Sequence, residues 1–241
     1  MVSVMRGIYP LMATNEKEEW PNEHTIYLAT SGAGKGSMIR GNPSIKKPSE
    51  KARVIAWDRA KAYPAYYYNE REAFAKALEK AINSGKGFAI GYTGGDASDI
   101  VAEHEWWASI VWRVLNGNHR TYIIDEEISE TSKTAGKAEH YGALLANQSR
   151  KYGGVWHGTA QRPTEVPKTF TDNVAVRYIG RQVPRAAKRM ADLIGITDHV
   201  ELIKLQNGEF LREEMGEVQR GCYKKVNIKR KPLANGVIKT T

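Results

Sequence analysis

The stretch Thr25-Ile-Tyr-Leu-Ala-Thr-Ser-Gly-Ala-Gly-Lys-Gly-Ser37 restricts the fold of this chain more than any other. An apolar strand runs into a glycine-bearing turn, and Lys35 stands where a helix begins. That arrangement aims backbone N–H groups and the positive helix end at an anion, while the lysine reaches the outer phosphates. Glycine is required because a side chain would block the close backbone approach. Ser31, Gly32, Ala33, Gly34, Lys35, Gly36 and Ser37 are therefore the candidate phosphate-binding residues. Two positions depart from the usual pattern. Ala29 replaces the first glycine, and Gly36 stands in place of the metal-binding Ser/Thr. Ser37 follows about 100° further around the helix and is the expected hydroxyl ligand for Mg2+.

From Thr25 onward, strand and helix alternate. Apolar runs predict strands over 25–29, 53–57, 87–92, 121–125, 155–160 and 174–179. Amphipathic stretches predict helices over 34–40, 70–84, 97–116, 137–152 and 184–194. Alternation of this kind predicts an α/β domain with a mainly parallel central sheet covered by helices. Beyond residue 196 the pattern predicts short strands over 201–205, 209–212 and 217–228, with a turn at Asn207-Gly208. The expected organisation is an N-terminal arm (1–24), a core (25–196) and a β-rich C-terminal extension (197–241) ending in a partly mobile basic tail. Trp106, Trp107 and Trp112 fall in one helical stretch and are expected to pack in the core. Tyr66-Tyr-Tyr68 is expected around a turn after Pro64. His104, between Glu103 and Glu105, cannot converge with those neighbours on one metal ion, because adjacent helical residues point apart.

A second chemical element is Thr121-Tyr-Ile-Ile-Asp-Glu-Glu127, a buried strand running into carboxylates. This pattern assigns Asp125 to Mg2+ and Glu126 to the attacking water. Glu127 receives no role and is expected in solvent. The third element is the apolar strand ending Ala160-Gln-Arg-Pro-Thr164. In that context it resembles the sensor strand of FtsK–HerA ATPases, which are P-loop DNA translocases and packaging motors. Asn147-Gln-Ser-Arg-Lys-Tyr-Gly-Gly154 and Val54-Ile-Ala-Trp-Asp58 are similar to further segments of HerA-like members. The resemblance covers residues 25–196. It implies a P-loop NTPase sandwich, ATP and Mg2+ as cofactors, and a terminal-phosphate contact at Gln161. It also implies an oligomeric ring, most simply a hexamer, with an arginine acting across the subunit boundary. Arg150 is the first candidate for that arginine, and Arg185 the second.

The formal net charge of +9 favours a polyanionic partner. No base-reading motif is present, so the expected contacts are to the double-stranded DNA backbone, without sequence specificity. Lys133, Lys137 and the tail cations Lys224, Lys225, Lys229, Arg230 and Lys231 are candidates; the tail could also meet a portal or capsid-vertex protein. Within the family, the length suits the packaging ATPases of tailless, membrane-containing phages, which implies the host cytoplasm and association with the virion. No membrane span is expected, and Cys222 is the single cysteine. Two alternatives stay open: a conjugation or plasmid DNA-transfer ATPase, and a nucleotide kinase. The Gly-Lys-Gly-Ser loop resembles that of adenylate-kinase-like enzymes, but adjacent acids suited to activating water disfavour phosphate transfer.

Overall fold

The computed structural model describes residues 12–241. Of the expected N-terminal arm, residues 1–11 lie outside the described residues. The strands are β1 (Thr25–Leu28), β2 (Arg53–Trp57), β3 (Tyr66–Tyr68), β4 (Phe88–Tyr92), β5 (Thr121–Asp125), β6 (Gly154–Ala160), β7 (Val176–Gly180), β8 (Glu209–Glu214), β9 (Glu217–Cys222), β10 (Arg230–Pro232) and β11 (Ile238–Thr240). The helices are α1 (Lys35–Gly41), α2 (Arg71–Asn83), α3 (Ile100–Val114), α4 (His140–Asn147), α5 (Lys168–Asp172), α6 (Pro184–Ile194) and α7 (Val200–Lys204).

All the strands join one sheet in the order β10-β11-β3-β4-β2-β5-β6-β1-β7-β8-β9. From β3 to β7 neighbours run parallel; β8–β9 and β10–β11 add antiparallel pairs at the two edges. The phosphate-loop strand β1 and the acidic strand β5 are not neighbours. β6 lies between them, so three C-terminal strand ends meet side by side.

Two apolar layers hold the sheet. Trp57, Trp107, Ile123, Trp156 and Met190 belong to the larger layer, beneath α3 and α6. Tyr27, Met38, Val54, Tyr122 and Ile124 belong to the smaller, against α1. Each fully buried large apolar side chain contributes about 1.5–3 kcal/mol. Side chains alternate along β5: Tyr122 and Ile124 face α1, and Ile123 faces α3. That parity decides where the acids after Ile124 point.

Local chemistry explains several boundaries. Asp99 caps α3 by accepting from Ala102 N at 3.0 Å. Pro184 opens α6 and Gly195, at φ 72°, closes it. Four expectations fail. Residues 200–204 form α7, not a strand, because Asp198 binds Val200 N at 2.9 Å and Leu202 and Leu205 bury one helical face. Asn207-Gly208 consequently joins α7 to β8; the β8–β9 turn is Met215-Gly216, with φ of 52° and 82°. Tyr66–Tyr68 is the strand β3, with Tyr67 buried. The tail, for which no strand was expected after residue 228, holds two: β11 pairs with β3, and β10 pairs with β11.

Candidate nucleotide site

The strand ends of β1, β5 and β6 converge where α1 begins. Gly34 precedes α1 at φ 100°, and a Cβ there would meet Gly208 N at 2.9 Å, so only glycine fits. Lys35 is nearly buried. Its Nζ donates to Ala29 O at 3.1 Å and lies 3.8 Å from Glu127 Oε1. Burial pulls the Lys35 pKa down, while Glu127 and Glu126 push it back up. Glu127 adopts φ 55°, a left-handed backbone that is costly for a residue with a side chain. The turn brings its carboxylate over the loop: Oε2 accepts from Gln161 N at 3.0 Å, and its own N–H donates to Thr159 Oγ1 at 3.3 Å. Lys35, Glu127 and Gln161 are thereby joined by direct contacts from three strands. The cleft they line, about 480 Å³, also includes Gly32, Gly34, Gly36, Ser37 and Glu126; Ser31 and Ala33 do not line it.

Asp125 is not in this cleft. Following Ile123 in parity, it is fully buried on the α3 face. His104 Nε2 lies 2.9 Å from its Oδ1, and Trp156 Nε1 donates to Oδ2 at 3.1 Å. Both oxygens are engaged within the protein, so Asp125 stands apart from the cleft in which it was expected to hold a metal ion. The acids on the α1 face are Glu126 and, at the end of β2, Asp58. Asp58 Oδ2 accepts from Ala62 N (2.7 Å), Tyr63 N (2.9 Å) and Tyr67 OH (2.5 Å). Asp58 Oδ1 is buried without an N–H or O–H donor among the described residues. Glu126 lies in hydrogen-bond contact with Asp58, and burial followed by this neighbour pushes its carboxyl up to about 10. Glu127, which sequence reasoning had left in solvent, lines the cleft together with Glu126 and accepts from Gln161 N.

Gly36 lines a smaller cavity with Asp58 and Glu126, and Ser37 lines the larger cleft. Arg40, one turn on, fills the space beside Gly36: a Cβ at 36 would meet Arg40 Nη1 at 3.1 Å. Arg150 sits at the opposite end of β6 from Gln161, roughly 23 Å away along a seven-residue strand. Its Nη1 donates to Glu18 O and Trp20 O, at 3.0 and 2.5 Å, within the arm. Arg185 is exposed at the start of α6. Arg59, missed in the sequence, lines a cavity of about 130 Å³ with Glu126, Glu127 and Gln161. The neighbours of His104 diverge: Glu103 pairs with Arg71, and Glu105 accepts from Tyr141 N at the start of α4.

No protein-family model and no curated protein matches the sequence. Solved structures do match. One is the genome packaging NTPase B204 from Sulfolobus turreted icosahedral virus 2 in complex with AMPPCP. It is 14% identical, with a TM-score of 0.62 over 86% of this chain and 99% of that one. VirB4 of Thermoanaerobacter pseudethanolicus is 12% identical, with a TM-score of 0.62 over 84% and 90%. The pCW3 conjugation coupling protein TcpA is 18% identical, with a TM-score of 0.50 over 84% and 60%. The fold is that of a P-loop NTPase. The resemblance expected from the sequence is thus met at the level of the fold, and this P-loop NTPase architecture presents its cleft at the same strand ends that carry Lys35, Glu127 and Gln161. Among the described residues, no helix is long and apolar enough to cross a membrane.

Proposed function

We propose that this chain is an FtsK–HerA-type ATPase that moves double-stranded DNA, packaging a viral genome. The observation that carries the reading is the direct contact of Lys35 with Glu127 and of Glu127 with Gln161 above the phosphate loop. In this reading the loop from Ser31 to Ser37 cradles the phosphates of ATP, and Lys35 exchanges Ala29 O for a phosphate oxygen. Glu127 accepts the proton of the attacking water, and the Gln161 side chain orients that water and senses the terminal phosphate.

The acid pair fits a divalent cation. Asp58 has an unsatisfied buried oxygen, and Glu126 adds a second hard oxygen donor, the ligand type that Mg2+ takes. Asp58 and Glu126 would hold the ion, and it would neutralise phosphate charge when bound. Ser37 takes the role of a phosphate hydroxyl contact, since Gly36 occupies the helix face toward the acids.

Hydrolysis would be completed in a homo-oligomeric ring, a hexamer by family resemblance, with Arg150 or the exposed Arg185 crossing to a neighbour. Arg150 would first have to leave the arm carbonyls that now hold it. The net charge of +9 supports contacts to the DNA backbone that weaken with salt. Residues 25–196 would form the motor core and 197–241 an extension that seals both sheet edges. Host cytoplasm and virion vertex would be the places of work. Conjugative DNA transfer is the second reading, favoured by the fold likeness to VirB4 and TcpA. Packaging is preferred because the match spans 99% of B204, against 90% of VirB4 and 60% of TcpA.

ATP turnover with and without long double-stranded DNA tests the function. DNA should raise turnover, high salt should abolish the rise, and Lys35→Ala should remove turnover altogether. Absence of hydrolysis, or transfer of phosphate to a nucleoside monophosphate, would contradict it.

A further inference from the structure

The segment between β9 and β10, residues 223–229, leaves one edge of the sheet and ends at the other. It crosses above α1 on the way. At its near end Tyr223 N donates to Gly208 O at 2.9 Å, and the Tyr223 ring stacks on Phe210 at 4.9 Å. At its far end Arg230 Nη2 donates to Ala60 O at 2.9 Å, and Lys229 exchanges backbone hydrogen bonds of 3.0 Å with Thr241. Both ends are anchored. Between them the chain has no regular structure, and Lys225, Val226 and Asn227 are exposed. The contact reaching the middle from below is Arg40 Nη2 to Val226 O at 3.3 Å. Yet Lys225, Val226, Asn227 and Ile228 line the same cleft as Lys35 and Gln161. An exposed strap, anchored at both ends, thus borders the phosphate-loop cleft and brings Lys225 to its lining; Lys224, next to it, does not line that cleft.

We propose that this strap is part of the nucleotide site: Lys225 binds the phosphate groups from above, and bound nucleotide holds the strap closed. The proposal rests on the cleft being a nucleoside triphosphate site, as argued above. Lys35 and the loop amides approach the anion from below and Lys225 approaches it from the opposite side, so the polyphosphate is enclosed in cis. An ammonium on a phosphate is a charge-assisted contact, stronger than a neutral hydrogen bond. A strap fixed at both ends loses little entropy on closing, so most of that contact reaches the binding constant.

The test compares Lys225→Ala with Lys224→Ala in the full chain, two variants that remove equal charge. The dissociation constants of AMPPCP and of AMP are measured, together with tryptic cleavage after Lys224 and Lys225 in the wild type. The expected result is about tenfold weaker AMPPCP binding for Lys225→Ala. A change within about twofold is expected for Lys224→Ala and for AMP binding to either variant. AMPPCP should slow strap cleavage in the wild type. Equal affinity of both variants, or cleavage indifferent to AMPPCP while the wild type binds it, overturns the strap. A wild-type chain that binds no nucleotide overturns the reading of the cleft as well.

Discussion

Asp125 and Glu126 are adjacent in the chain and opposite in environment. Asp125 lies on the α3 face, fully buried, with His104 and Trp156 on its two oxygens. Glu126 lies on the α1 face, against Asp58 and beside the phosphate loop. One residue of strand parity separates an acid buried against α3 from an acid beside the phosphate loop. The comparison teaches that a run of acids at a strand end is read by face, not by position in a motif. It also explains Glu127, whose left-handed backbone returns a third acid to the cleft side.

The largest expected effect is on the cleft side. Glu127→Gln should lower the turnover number for ATP by about 10²–10⁴-fold, the usual range for losing a general base, and leave AMPPCP affinity within about threefold. Steady-state turnover and equilibrium binding check it together; loss of both would mean that Glu127 only supports Lys35. On the other face, Asp125→Ala should cost about 3 kcal/mol of stability. It strands two buried partners, Trp156 Nε1 and His104 Nε2, without their acceptor. Denaturant unfolding measures that loss, and turnover per folded molecule should stay within about threefold. A variant that keeps its stability and loses turnover would reverse the two roles.

A smaller effect separates Glu126 from both. Burial, and after it the neighbouring Asp58, push its carboxyl up to about 10, from 4.5 in an unfolded chain. Between those values the unfolded state releases a proton that the folded state keeps, so this group's stabilising contribution, complete at low pH, is lost as pH rises. Glu126→Gln, neutral at every pH, should therefore raise the ligand-free Tm at pH 8 by about 2–4 °C per kcal/mol relieved. The difference should vanish towards pH 4. A Tm difference that is constant with pH would place the Glu126 carboxyl outside the acid pair.

Much of the parallel core was legible because its signals are local. Val54-Ile-Ala-Trp57 and Tyr122-Ile-Ile124 are continuous apolar runs, and the Pro184 start and Gly195 stop of α6 are written in the chain. The edges were not legible. Tyr66–Tyr68 becomes a strand because Ile238 and Lys239, distant in sequence, pair with it. Val200–Lys204 has the apolar content of a strand, and the Asp198 side chain tips it to a helix. In the site, Lys35 was marked by its phosphate-loop context and Gln161 by the family resemblance, and both line the cleft. Asp125 against Glu126 was not legible, since parity acquires meaning only once α1 has packed against Tyr122 and Ile124. Arg150 was chosen from a family-like segment, and nothing local showed that the arm would engage it.

The central claim is that the acids of the α1 face, and not Asp125, serve the nucleotide bound above Lys35. A crystal structure with AMPPCP and Mn2+, in which anomalous scattering locates the metal, tests it most directly. The account predicts the Mn2+ peak beside Glu126 and Asp58, phosphates against Lys35, and Asp125 still held by His104 and Trp156. Manganese bound to Asp125, or phosphates away from Lys35, would contradict it.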